Sequence, residues 1–133
     1  MLTGLMVISI CSFAITVPAA VANAFAKKFP GATNIKWGKE NAKEYEADFK
    51  LNGKAMSANF LADGSWTETE GAITVAELPA AATATVTAKY PGYTITGVYK
   101  IEKATGPVTY EAEIKKGSKK SEVIVAADGT IIK

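Results

Sequence analysis

Two short runs hold the side chains best placed to do chemistry: Glu44-Tyr45-Glu46-Ala47-Asp48 and Thr109-Tyr110-Glu111-Ala112-Glu113. In each, polar residues alternate with apolar ones, so a strand would set the carboxylates in a row on one face. Such a row can attract a basic or extended protein partner, setting on-rate and orientation. Equally, it can stand as a solvated face whose charges are partly matched by lysines on neighbouring strands. Acid/base catalysis asks for a positioned pair, and no spacing singles one out among the carboxylates, tyrosines and lysines. The chain has no His, and all fifteen basic residues are Lys. It therefore lacks the usual general base, the commonest transition-metal ligand and the bidentate clamp that Arg offers to carboxylate or phosphate. Its one Cys, Cys11, lies in an apolar leader, so a mature chain without it has neither thiol nucleophile nor disulfide. No catalytic residue is assigned and no cofactor is expected.

Aromatic residues extend the binding reading. Trp66 lies just past a tight turn, Trp37 near a strand end, and Tyr93 and Tyr99 in the second half. Exposed Trp and Tyr are enriched at interaction hot spots, whereas Tyr45, Phe49, Phe60 and Tyr110 follow the core register. The candidate partner-binding set is Trp37, Glu44, Glu46, Asp48, Trp66, Tyr99, Glu111 and Glu113, with Glu102 and Glu122 near the second row. Asp63 and Asp128 sit in Asp-Gly turns that turn chemistry alone explains. No D-x-[DN]-x-[DN]-G loop is present, so no dedicated metal site is expected. Lys115, Lys116, Lys119 and Lys120 surround a hairpin tip. Without Arg or interleaved aromatics they read as protection of a sheet edge rather than as a nucleic-acid contact. A net charge of +2 gives no long-range pull toward nucleic acid or an anionic membrane.

The elements that must position these residues are spelled twice. Val17-Pro18-Ala19-Ala20 returns as Leu78-Pro79-Ala80-Ala81, and Lys28-Phe29-Pro30-Gly31 as Lys89-Tyr90-Pro91-Gly92. Tyr45 to Phe49 returns as Tyr110 to Ile114, and Ala62-Asp63-Gly64 as Ala127-Asp128-Gly129, with extra residues around 103–107. Each unit opens with a helix: proline is favoured in the first turn, and Pro-Gly ends it. Val17, Val21, Phe25 and Phe29 form one apolar stripe, and Leu78, Ala82, Val86 and Tyr90 the other. Thr83, Thr85 and Thr87 lower the propensity of the second helix, which must depend on packing. Strands follow over 34–39, from Glu44, to a hairpin at Asn52-Gly53, and past Asp63-Gly64; the second unit repeats the scheme through a last strand over 130–132. A unit of some sixty residues buries little surface alone, so two units sharing one sheet are expected. The predicted fold class is α+β: a tandem duplication of an αββββ unit, two helices on one face of a curved antiparallel sheet of up to eight strands.

Residues 1–14 read as the remnant of a signal peptide, with an apolar run and a small-x-small end but no basic n-region. The mature chain, 15–133, is then one domain of two repeats, 15–72 and 73–133, exported and without stable membrane insertion. The doubled [VL]-P-A-A…K-[FY]-P-G, followed by Y-E-A-[DE]-[FI] and A-D-G, resembles the PepSY-like family. These are small exported bacterial proteins, mostly Gram-negative, similar in fold to the β-lactamase inhibitor protein. The resemblance implies a periplasmic, non-enzymatic protein that binds or inhibits an unidentified protein partner through its open sheet face. The inhibitor's paired disulfides have no counterpart here. The alternative is a periplasmic carrier of a small ligand or calcium.

Overall fold

The computed structural model describes residues 15–133. The apolar leader and Cys11 lie outside the described residues. Helix α1 covers Ala19–Lys28 and α2 covers Ala80–Lys89. Both prolines stand one position earlier than the first-turn rule predicts, at the N-cap. There the Pro18 carbonyl accepts from the amides of Val21 and Ala22 (3.0 and 3.1 Å), and the Pro79 carbonyl from Thr83 (3.0 Å). In α2 the Thr85 hydroxyl donates back to the Ala81 carbonyl at 3.0 Å, the local competition that makes β-branched hydroxyl residues indifferent helix formers. Gly31 and Gly92, both at positive φ, turn the chain away just past the helices.

Seven strands follow: β1 Thr33–Lys39, β2 Glu44–Leu51, β3 Lys54–Leu61, β4 Trp66–Ile73, β5 Thr94–Lys103, β6 Thr109–Lys116 and β7 Lys119–Ala126. They lie in chain order in an antiparallel sheet. The expected eighth strand over 130–132 is not built. Ile131 makes a single bridge to Val125, and Ile132 and Lys133 both face Ile124, whose amide donates to Lys133 and whose carbonyl accepts from both. Two residues opposite one is bulge-like pairing, which interrupts a regular ladder. Between β4 and α2 lies one 3₁₀ turn, Val75–Glu77, closed by a Thr74/Glu77 capping box.

The chain divides into two compact units, with the boundary between Glu70 and Gly71. In the first, Val21, Phe25 and Phe29 of α1 pack on Ala47, Phe49, Ala58 and Phe60. Phe25 meets Phe49 edge-on at 4.9 Å and Trp37 at 5.3 Å, distances at which aromatic pairs add to simple burial. In the second, Leu78, Ala82 and Val86 pack on Val98, Ala112, Ile114, Val123 and Val125. Both apolar stripes are thus as the spacing predicts.

The repeated Ala-Asp-Gly segments have a job beyond turning a hairpin. Gly64 (φ +91°) and Gly129 (φ +92°) press against the first turn of the helix of their own unit. A Cβ on either would stand 2.8 Å from the carbonyl oxygen of Ala20 or Ala81. Asp63 and Asp128 brace the turns by accepting from the amides of Ser65 (2.8 Å) and Thr130 (2.9 Å). The Pro-Ala-Ala and Ala-Asp-Gly motifs recur together because they touch.

Candidate partner-binding face

In the first unit, β2 alternates as its sequence predicts. Tyr45, Ala47 and Phe49 turn toward α1, while Glu44, Glu46 and Asp48 take the opposite face. The turn before the strand fixes the first of them. Asn41 Oδ1 accepts from the amides of Lys43 (2.8 Å) and Glu44 (3.0 Å), and its amide nitrogen donates to Glu44 Oε2 at 2.7 Å. The Thr67 hydroxyl, also 3.2 Å from the Asn59 carbonyl, donates to the other Glu44 oxygen. Glu44 is therefore committed to its neighbours.

Glu46 is the electrostatic centre of this face. Burial, then the charges of Asp48 and Glu40, a carboxyl–carboxyl hydrogen bond to Glu40 and the charge of Glu68 push it up to about 8. Two carboxyls can share a hydrogen bond only while one keeps its proton. Asp48 is raised by burial and by Glu40, and Lys36 pulls it partly back. Lys36 is its register partner on β1. Crowded like charges with partial desolvation shift carboxyls in this direction, and the arrangement costs the folded chain free energy. Sequence alone does not tie Glu40 or Glu68 to this face: Glu40 lies in a turn, and Glu68 follows the Asp63-Gly64 turn on a strand distant in sequence from Glu46.

In the second unit, carboxylate oxygens of Glu111, Glu113 and Glu122 lie within 4.8 Å of one another. Glu111 and Glu113 stand two apart on one face of β6, and Glu113 pairs with Glu122 across β6–β7, which groups the three; Tyr99 is the register partner of Glu111 across β5–β6. Glu111 is wholly buried. Gly97, opposite Glu113 beside a register shift, leaves room for that carboxylate: a Cβ there would stand 2.5 Å from Glu113 Oε1. Burial and then the charge of Glu113 raise Glu122. Glu102 stands apart, paired with Lys100 at 3.6 Å.

Of the eight candidate residues, the structure gathers Glu44, Glu46 and Asp48 in one unit, and Tyr99, Glu111 and Glu113 in the other. The two tryptophans join neither group. Trp37 is the register partner of Ala47 and packs against Phe25 on the helix-covered side. Trp66 packs on the same core, its ring under Lys28 Nζ (3.9 Å to the centroid) and its Nε1 donating to Thr69 Oγ1 at 2.8 Å. Both are half-buried.

A family model described as "Putative beta-lactamase-inhibitor-like, PepSY-like" matches residues 12–54 and 43–133, most of the chain. The chain belongs to the PepSY-like family. Among solved structures it is similar to one described as putative periplasmic proteins from Bacteroides eggerthii, at TM-score 0.82 and 22% identity, covering 90% of this chain and 88% of the other. It is also similar to a BLIP-like protein from Bacteroides fragilis, at TM-score 0.76 and 24% identity, covering 90% and 85%. At those identities the likeness establishes the PepSY-like fold alone. No curated protein matches the chain. Among the described residues no helix is long and apolar enough to cross a membrane.

Proposed function

We propose that this PepSY-like protein is an exported, non-enzymatic binding module of the periplasm. It docks a basic protein partner on the open acidic face of its first unit, and inhibition of an envelope or extracellular enzyme is the specific form the reading takes. The observation that carries it is the crowding of Glu40, Glu46, Asp48 and Glu68, with Lys36 as the cation acting on Asp48. The crowding keeps a proton on Glu46 at neutral pH, and a partner that brings lysine or arginine against it favours the ionised carboxylate and relieves the repulsion among the rest. The tryptophans support the face from below, and orientation comes from the carboxylates. Tandem copying of one αβ unit accounts for the doubled motifs. The experiment is capture from periplasmic extract with the wild-type protein and with Glu46→Lys/Asp48→Lys. A partner held by the wild type and released by the charge reversal supports the reading; equal retention rejects it.

A second reading, a carrier of a small cation, is favoured by the Glu111, Glu113 and Glu122 grouping. A ligand specific to the native state must raise its melting temperature. Calcium that leaves the melting temperature unmoved rejects that reading.

A further inference from the structure

The β6–β7 hairpin carries more positive charge than its place in the fold requires. Lys115 faces Lys120 and Lys116 faces Lys119, two like-charged pairs in direct register about a two-residue Gly117-Ser118 turn. All four are exposed. Like charges directly opposite one another destabilise a strand pair. The corresponding hairpin of the first unit shows what the fold accepts: there Lys50 faces Ala55 and Leu51 faces Lys54. Edge protection accounts for only half of the cluster. Lys119 and Lys120 lie on β7, whose edge is covered at Ile124 and Ala126 by the C-terminal segment but not at its lysine end. Lys115 and Lys116, however, lie on β6, which is paired on both sides by β5 and β7. Glutamate at those two positions would keep the tip charged and convert two repulsive pairs into two attractive ones.

We infer that this hairpin tip is a docking site for an anionic lipid surface. The four lysines stand at the very end of a two-residue hairpin, which presents point charges rather than a groove. The run 115-KKGSKKSE-122 has no arginine for bidentate phosphate recognition and no aromatic for stacking on bases. Ammonium groups on flexible stems suit a diffuse field of lipid phosphates, where each basic residue is worth about a fivefold gain in partition. Lys116 is steadied at the base of the tip, its stem against Gly92 and its Nζ 5.9 Å from the Tyr93 ring centroid. Glu113 and Glu122 lie two residues further in, roughly 7 Å along the strands, so an approaching surface meets the lysines first. The patch acts locally, over about one Debye length, and the small net charge of the whole chain does not cancel it.

The test is co-sedimentation of the full chain with vesicles of phosphatidylglycerol or of phosphatidylcholine, with Lys115→Glu/Lys116→Glu as the variant. The expected result is retention on phosphatidylglycerol that added salt releases, with the variant's partition lowered about a hundredfold or more, because each site passes from attraction to repulsion. Lys115→Glu also sets a carboxylate two residues from Glu113 on the same face of β6, so the melting temperature is read alongside: a variant that melts no lower than the wild type shows that lost binding is not lost folding. Should it melt lower, Lys115→Gln/Lys120→Gln replaces it, with an expected drop of about twenty-five-fold. Equal partition of wild type and variant, absence of retention on phosphatidylglycerol, or equal retention on phosphatidylcholine overturns the inference. So does tighter binding to a single-stranded oligonucleotide or to polyglutamate than to phosphatidylglycerol vesicles, which would assign the tip to nucleic acid or to an acidic protein.

Discussion

Replacing Glu46 with Gln should change how stability depends on pH. Glu46 is held at about 8 against an ordinary 4.5, so the folded chain keeps a proton there that the unfolded chain gives up at lower pH. Stability from this group is complete below about pH 4.5 and is lost as pH rises through about 8, because the folded state binds the extra proton between those values. At about 1.4 kcal/mol per pH unit the gap sets a ceiling of about 5 kcal/mol. Glu46 is only half-buried, so solvent screening reduces the expected effect to about 1–2 kcal/mol. Urea denaturation at pH 5 and pH 9 measures it. Wild type should lose about 1–2 kcal/mol more than Glu46→Gln over that interval, and the variant should be the more stable of the two at pH 9. Asp48 and Glu122 are also raised, so whatever slope they leave in the variant has the same sign. Parallel profiles for the two proteins would refute the crowding of Glu46 by its neighbours.

Other substitutions probe the frame. Gly64→Ala combines a left-handed φ with a clash into the Ala20 carbonyl and should cost about 2–4 kcal/mol in chemical denaturation. Gly53→Ala, at φ +78° with open space around it, should cost only about 1 kcal/mol, so similar losses would argue against the turn-on-helix contact. Phe25→Ala empties the centre of the first core and should cost about 3–5 kcal/mol. Gly97→Ala should dislodge the Glu113 carboxylate, which a shift in the NMR-monitored titration of Glu122 would report; an unchanged titration would show the two carboxylates to be independent. Trp66→Ala should lower the melting temperature while leaving partner capture intact, since its ring packs on the core beneath Lys28.

Much of the frame was legible because period and punctuation agree. Val21-Phe25-Phe29 could face a core only as a helix, and Glu44 to Phe49 could divide its polar and apolar residues only as a strand. The last strand failed because Thr130-Ile131-Ile132 has strand composition but pairs two residues against one at Ile124. Composition carries no information about such a bulge. On the candidate face, alternation assigned Glu46 and Asp48 correctly to the side away from the helix. It could not supply Glu40 and Glu68, which reach Glu46 through a turn and through a strand distant in sequence. The tryptophans show the opposite limit. Trp37 follows the register of Ala47 across β1–β2, and that pairing lies in the register rather than in any local pattern.

The central claim is that the carboxylates around Glu46 are a docking surface, and partner capture by charge reversal tests it most directly. Glu46→Lys/Asp48→Lys relieves the repulsion among its neighbours, so the variant should fold at least as well as the wild type. The account predicts a periplasmic protein retained by the wild type, eluted by salt and lost from the variant. A partner held equally by both proteins would contradict it.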